Sequence, residues 1–245
     1  MRADLERYWT ELGDAMQAMP FAALASIEKE LYACYRRGGT IFLAGNGGSA
    51  ATASHMACDL AKGVRAAGAP ALRVMALTDN VPLMTAWAND TSYDRIFAEQ
   101  LATLGRAGDT IILISASGNS PNVVAVPEVA RRLGVTVIAL TGQSGGQVAR
   151  LADLVARVPA DLIEQVEDAH MIIAHSLCVA LRKRLQREYA HRVREPRDMR
   201  DMRDTRQPAL QAVALDSTFS GPLIPLTVAG DALAPDLAEL TQAGA

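Results

Sequence analysis

The chain of 245 residues has four histidines, and three of them stand near carboxylates. His55 and Asp59 are four residues apart, so on a helix they share one face. His170 and His175 follow Glu164, Glu167 and Asp168 in a segment otherwise rich in Leu, Ile and Val. Imidazoles and carboxylates gathered in this way are acid–base or metal-ligating material. Taken singly, His170 or His175 beside Met171, Ile172, Ile173 and Leu177 reads more readily as a structural histidine. Glu167 and His175 are eight residues apart, about 12 Å on a regular helix. They can meet at one ion only if the helix start bends or if ligands are shared between subunits.

Small-residue turns supply the second kind of chemistry. An apolar run, Ile41 to Ala44, leads through Gly45-Asn46-Gly47-Gly48-Ser49 into the segment that carries His55. A strand, a Gly-rich turn and a helix start converge free N–H groups and the positive helix end on one spot, which suits an anion. The turn is not the dinucleotide fingerprint, because Ala50 takes the third Gly position and no acidic residue closes the next strand. It is not a Walker loop either, since no Lys-Ser or Lys-Thr follows. Read alone, it is as much a plain turn as a cradle. Ser115-Ala116-Ser117-Gly118-Asn119-Ser120 adds three hydroxyls, and residues 141–146 (TGQSGG) form a third polar turn. Asp79-Asn80 and Asn89-Asp90 read equally as helix caps and as ligand contacts.

These groups are positioned by alternating elements. Apolar periodicity predicts two helices within residues 3–36, broken at Pro20. Strands follow at 40–44, 72–77, 110–115, 135–140 and 154–158. Between them the pattern predicts helices at 50–62, 80–89, 92–105, 121–133 and 146–151, and a long closing helix over 162–189. Strand–helix alternation implies parallel pairing, hence an α/β three-layer sandwich around five parallel strands. In such sheets ligands bind beyond the carboxyl ends of the strands, where all three polar turns fall. The organisation expected is an N-terminal helical segment at 1–36, the α/β domain at 37–190, and a charged linker and Pro-containing tail at 191–245. Arg recurs every third residue from Arg194 to Arg206 with Asp interleaved, which reads as a solvated charged stretch.

Composition narrows the classes. A net charge of -3 argues against direct nucleic-acid binding. No apolar run reaches the roughly 18 residues that a membrane helix needs. The N-terminus is charged throughout and has no signal-peptide core. Cys34, Cys58 and Cys178 are odd in number and widely spaced, as buried thiols of a reducing compartment are. The expected location is the cytoplasm.

The segments GNGGSAATASHMACDL, LTDNVPLMTAWANDTSYDRIF, GDTIILISASGNSPNVV, VIALTGQSGGQVARLAD and QVEDAHMIIAHSL together resemble the SIS (sugar isomerase) domain family. The match is to its phosphoheptose isomerase branch and to the related DnaA-initiator-associating protein, over about residues 3–189. The resemblance implies aldose–ketose isomerisation of sedoheptulose 7-phosphate to D-glycero-D-manno-heptose 7-phosphate through an enediol. It also implies a homotetramer with pockets at subunit boundaries. By position, Asp59 and His175 take the catalytic places. His55, Asp59, Glu167 and His175 take the places near which zinc binds. Asn46, Gly47, Gly48, Ser49, Asp79, Ser115, Ser117, Ser120 and Glu167 take the substrate-contacting places. The chain departs from the family pattern at three of these segments. Asp59 stands for a Glu, so its shorter carboxylate needs a backbone shift or help from Glu167. Glu167 stands for a Gln, and Ala116 for a Thr. The departures leave room for an isomerase of another ketose phosphate. A non-catalytic SIS scaffold is the alternative of a different class, although the carboxylate at 59 and the imidazole at 175 favour an enzyme.

Overall fold

A computed structural model describes residues 1–194, with side chains through residue 190. Helix α1 (Arg2–Gln17) and helix α2 (Phe21–Arg36) are separated by Pro20, which stands at the N-cap of α2. Strand β1 (Thr40–Gly45) leads into α3 (Gly48–Cys58), which continues as a π-helical turn over Asp59–Gly63. Then come β2 (Arg73–Ala76), α4 (Val81–Asp90), a 3-10 turn (Tyr93–Arg95) and α5 (Ile96–Leu104). Strand β3 (Thr110–Ser115) is followed by α6 (Pro121–Val124) and α7 (Val126–Leu133). Strand β4 (Thr136–Gly142), α8 (Val148–Leu151), β5 (Leu154–Val158) and α9 (Ile163–Arg194) complete the described part. The charged repeat and the Pro-containing tail lie outside the described residues.

The five strands are parallel in the order β2-β1-β3-β4-β5. Winding runs one way from β1 to β2 and the other way from β3 to β5. The switch point therefore lies between β1 and β3, where α/β sheets open a crevice at their carboxyl edge. The period-two alternation of β1 sorts the core onto two faces. Ile41 and Leu43 pack with Leu31, Met56, Ile112, Ile173 and Leu177 under α2, α3 and α9. Phe42 and Ala44 pack with Phe97, Leu101, Leu113, Val126 and Val129 under α5 and α7. Each fully buried Leu, Ile or Phe contributes about 2 kcal/mol, so both layers are firmly anchored to the strands that carry the turns.

Two expected helices differ in detail. The predicted helix over 121–133 is split into α6 and α7, because Pro127 sits in the first turn of α7 and cannot donate to a continuous ladder. The predicted helix over 50–62 stays regular only to Cys58. Helix α9 is braced on α2: the Arg184 guanidinium lies 3.5 Å from the Tyr32 ring centre and donates to Glu28, and Arg36 pairs with Glu188.

Candidate functional site

The carboxyl edge is built from backbone first. Gly47 and Gly48 open α3 directly after β1, and Asn46 turns inward between them and β3. Asn46 and Asn122 exchange two amide hydrogen bonds, at 2.8 and 2.9 Å, across the switch point. The Tyr93 hydroxyl donates to Asn46 Oδ1 at 3.2 Å. In the serine turn, Ser115 Oγ accepts from the Gly118 N–H at 3.1 Å and Ser117 Oγ from the Asn119 N–H at 3.2 Å. Asn119 Oδ1 accepts from the Gln147 N–H at 3.0 Å, which joins the serine turn to the third turn. Ser120 is the residue ahead of α6, and its hydroxyl makes no capping bond. Asp79 is held by the hydroxyls of Ser54 and Thr78 beside the same edge. Asn80 is a helix cap: its Oδ1 accepts from the Leu83 N–H at 3.1 Å.

A second assembly lies between α3 and α9. His55 Nε2 and His175 Nε2 are 3.0 Å apart. Asp59 Oδ2 is 3.4 Å from His55 Nε2 and 3.5 Å from His175 Nε2. The three atoms form a nearly regular triangle, the one metal-capable group of His, Cys, Asp and Glu among the described residues. Asp59 keeps regular helical backbone with its N–H on the His55 carbonyl, so the i,i+4 spacing puts both side chains on one face; the π-helical turn starts at Asp59. The His55 and His175 side chains are 49% and 52% exposed, so the triangle faces outward.

Glu167 does not join that group. Its carboxylate lies against Gly48, where a Cβ would come within 2.6 Å of either carboxylate oxygen. The chain thus places an acid at the mouth of α3 and leaves the triangle about two helical turns further along. The sequence spacing explains this: eight residues of helix separate Glu167 from His175, and the start of α9 does not bend to bring them together. Asp168 faces α1, where it accepts the Tyr8 hydroxyl at 2.6 Å. Burial, and then the Asp59 charge, push the Cys178 thiol up to about 12, so this neighbour stays protonated and outside the ligand group.

His170 is a different case. It is 1% exposed, and its ring nitrogens make no hydrogen bond of standard geometry, the Thr141 backbone being the polar group beside them. Thr141, at the carboxyl end of β4 beside Ser115, has an unpartnered buried hydroxyl. Burial lowers the His170 pKa from 6.5 to about 4. The unfolded chain therefore takes up a proton that the folded chain refuses. Stability is full above pH 6.5 and falls as the pH drops toward 4, by roughly 3 kcal/mol from this group. Urea unfolding at several pH values should show that His170→Phe removes this part of the acid slope, and an unchanged slope would refute the assignment.

Asn122, Tyr93, Ser54 and Asn119 escaped sequence reasoning. Their roles depend on contacts across elements, and only the position of Asn122 just inside a helix start hinted at more than a surface amide.

A family model described as the SIS domain matches residues 6–142. The chain is 43% identical over 156 residues to a phosphoheptose isomerase of Rhodospirillum rubrum, covering 64% of this chain and 82% of that one. It is 38% identical over 162 residues to the phosphoheptose isomerase of Sulfurimonas denitrificans, covering 66% and 83%. Among solved structures it is similar to the phosphoheptose isomerase of Neisseria gonorrhoeae, with 31% identity, a TM-score of 0.68, and coverage of 74% of this chain and 97% of that one. The phosphoheptose isomerase of Francisella tularensis aligns equally well, with 33% identity and a TM-score of 0.68 over 74% and 96% of the two chains.

Proposed function

The chain belongs to the SIS domain family, in its phosphoheptose isomerase branch, and from that premise we propose that it interconverts sedoheptulose 7-phosphate and D-glycero-D-manno-heptose 7-phosphate through an enediol. The observation that carries the reading is the triangle of His55, Asp59 and His175 within a fold whose polar turns line one sheet edge. Ketose-to-aldose conversion needs a base for a C1 proton, an acid for the carbonyl oxygen, and delivery of a proton to C2. Asp59 supplies the carboxylate, whose Oδ2 faces both imidazoles. With no ion bound, His175 supplies the imidazole that protonates and deprotonates the oxygens; with Nε2 on zinc, polarisation by the ion would take that part. Ser115, Ser117 and Ser120, with Asn46, Gly47, Gly48 and Ser49, bind the phosphate and the nearby hydroxyls. Glu167, at Gly48, and Asp79, fixed by Ser54, orient the sugar chain.

The three ligand atoms suit zinc. Tetrahedral zinc with bonds of about 2.0–2.1 Å sets its ligands about 3.3 Å apart, close to the 3.0, 3.4 and 3.5 Å found here. His55, Asp59 and His175 would hold the ion, and one open position would remain. Bound there, zinc would polarise a carbonyl or enediolate oxygen. The working site is placed in the cytoplasm, where Cys34, Cys58 and Cys178, all free, stay reduced. No helix among the described residues is long and apolar enough to cross a membrane. The chemistry is assigned to residues 1–190, with 191–245 outside it.

The test is a proton NMR time course of sedoheptulose 7-phosphate in deuterated water, with metal-stripped and zinc-loaded protein. Conversion with deuterium at C2 is expected. Binding without conversion would point to another ketose phosphate, and no binding at all to a scaffold.

A homotetramer follows from the same reading. Leu5 and Trp9 on α1 are 63% and 71% exposed, and Ile163, Ile172 and Val179 are exposed along α9, the helix that carries His175. Apolar surface of this kind calls for a partner, and a second copy seated there would cover the triangle with its own polar turns. Light scattering should give four times the chain mass, and Trp9→Glu should lower it; a monomeric wild type would refute the assembly.

A further inference from the structure

The amino edge of the sheet carries a second cleft that the isomerase reading does not use. It has a volume of about 480 Å³ and opens at the starts of β1, β2 and β3. That size falls in the range of small-molecule pockets, roughly 300–1,000 Å³. Strand β1 is six residues long, which sets this cleft about 20 Å from the phosphate-binding turns. The two sites therefore cannot share one sugar phosphate.

Three arginines, Arg37, Arg73 and Arg106, are among the residues that line the cleft. Arg37 is engaged: it donates to Glu30 at 2.6 Å and to the Gly108 carbonyl at 2.5 Å. The carboxylate in the cleft, Asp109, is buried and spent on backbone, accepting the N–H groups of Thr40 at 2.7 Å and Arg106 at 2.8 Å. Among the described residues, the guanidiniums of Arg73 and Arg106 have no acidic partner and no hydrogen bond. Two free planar cations thus face a cleft whose only acid is already satisfied. Guanidinium forks match phosphate oxygens in geometry and charge. Part of the remaining wall is apolar: Met75 and Leu104 expose their side chains there, while Phe42 is buried. A bare inorganic anion would leave that wall against water.

We propose that this cleft is a second binding site for a phosphate ester bearing a flat apolar group, the chemistry of a mononucleotide. The free arginines take the phosphate, and the exposed Met75 and Leu104 side chains take the ring.

Calorimetric titration of the full chain with adenosine 5′-monophosphate, adenosine and inorganic phosphate tests this. The monophosphate should bind with one site per chain, and adenosine and inorganic phosphate each at least tenfold more weakly. Arg73→Gln with Arg106→Gln should weaken the monophosphate at least tenfold. Both side chains are exposed, so the variant should keep the melting curve and the isomerase activity of the wild type. Ser115→Ala with Ser117→Ala, at the opposite edge, should leave the monophosphate affinity unchanged. The proposal is overturned if the monophosphate does not bind at millimolar concentration, if the arginine variant binds it as well as the wild type, or if the serine variant loses it. None of these results depends on which sugar phosphate the enzyme isomerises.

Discussion

Asp59→Asn is expected to lower turnover of the heptose phosphate about a thousandfold, with a much smaller change in KM. The expectation rests on geometry. One oxygen of this carboxylate lies 3.4 and 3.5 Å from the two imidazole nitrogens. Replacing it with an amide keeps the shape but removes the base, and a positioned acid or base is worth roughly 10² to 10⁴ in rate. It also removes the anionic member of the ligand group, so metal content after dialysis should fall in the same variant. His175→Ala should lose a similar factor in turnover and one of the two imidazoles at the ion. Asp59→Glu keeps a carboxylate and should retain more activity than Asn. The steady-state rates, read beside metal analysis, separate two roles. Full zinc content with lost turnover would assign Asp59 to proton transfer alone. Unchanged turnover in both Asp59→Asn and His175→Ala would remove these residues from the reaction.

Gly118→Ala should be the most damaging change in the polar turns at the carboxyl edge. Gly118 adopts φ +65°, a left-handed conformation that costs a side-chain-bearing residue about 1 kcal/mol or more. A Cβ there would also run into the carbonyl of Gly145, which is backbone and cannot swing aside. Meanwhile the Gly118 N–H donates to Ser115 Oγ at 3.1 Å, and its carbonyl accepts from the Val148 N–H at 3.0 Å. One added methyl group therefore pushes the serine turn away from the third turn and breaks the bonds that join them. Strain and overpacking together should cost about 2–4 kcal/mol. For a domain of this size that lowers Tm by roughly 5–15 °C. KM for the sugar phosphate should rise at least tenfold, because the hydroxyls of Ser115 and Ser117 lose their set directions. A thermal melt and a substrate titration check both parts. Gly48→Ala is a useful contrast. Its Cβ would meet only the end of the Glu167 side chain, which can rotate away. It should change substrate affinity more than stability.

The order of strands and helices was legible in the chain because burial imposes period two on strands and 3.6 on helices. The TIILIS run at 110–115 could only be a strand covered on both sides, and β3 occupies those residues. The turns GNGGS and SASGNS were visible because Gly and Ser at strand ends have few other uses. The pairing of His55 with Asp59 was legible from a spacing of four. What the chain did not reveal depends on distances between elements. The contact of His175 with that pair needs α9 to lie beside α3, and no local spacing encodes that. Glu167 belongs by sequence with His175, yet the straight start of α9 carries it to Gly48. The amide exchange between Asn46 and Asn122, separated by 76 positions, exists because β1 and β3 are neighbours in the sheet. Local periodicity is written residue by residue, so sequence alone determined the elements and the small-residue turns. The convergence of side chains is a property of packing, so the triangle, the position of Glu167 and the arginine-lined cleft were decided only by the tertiary structure.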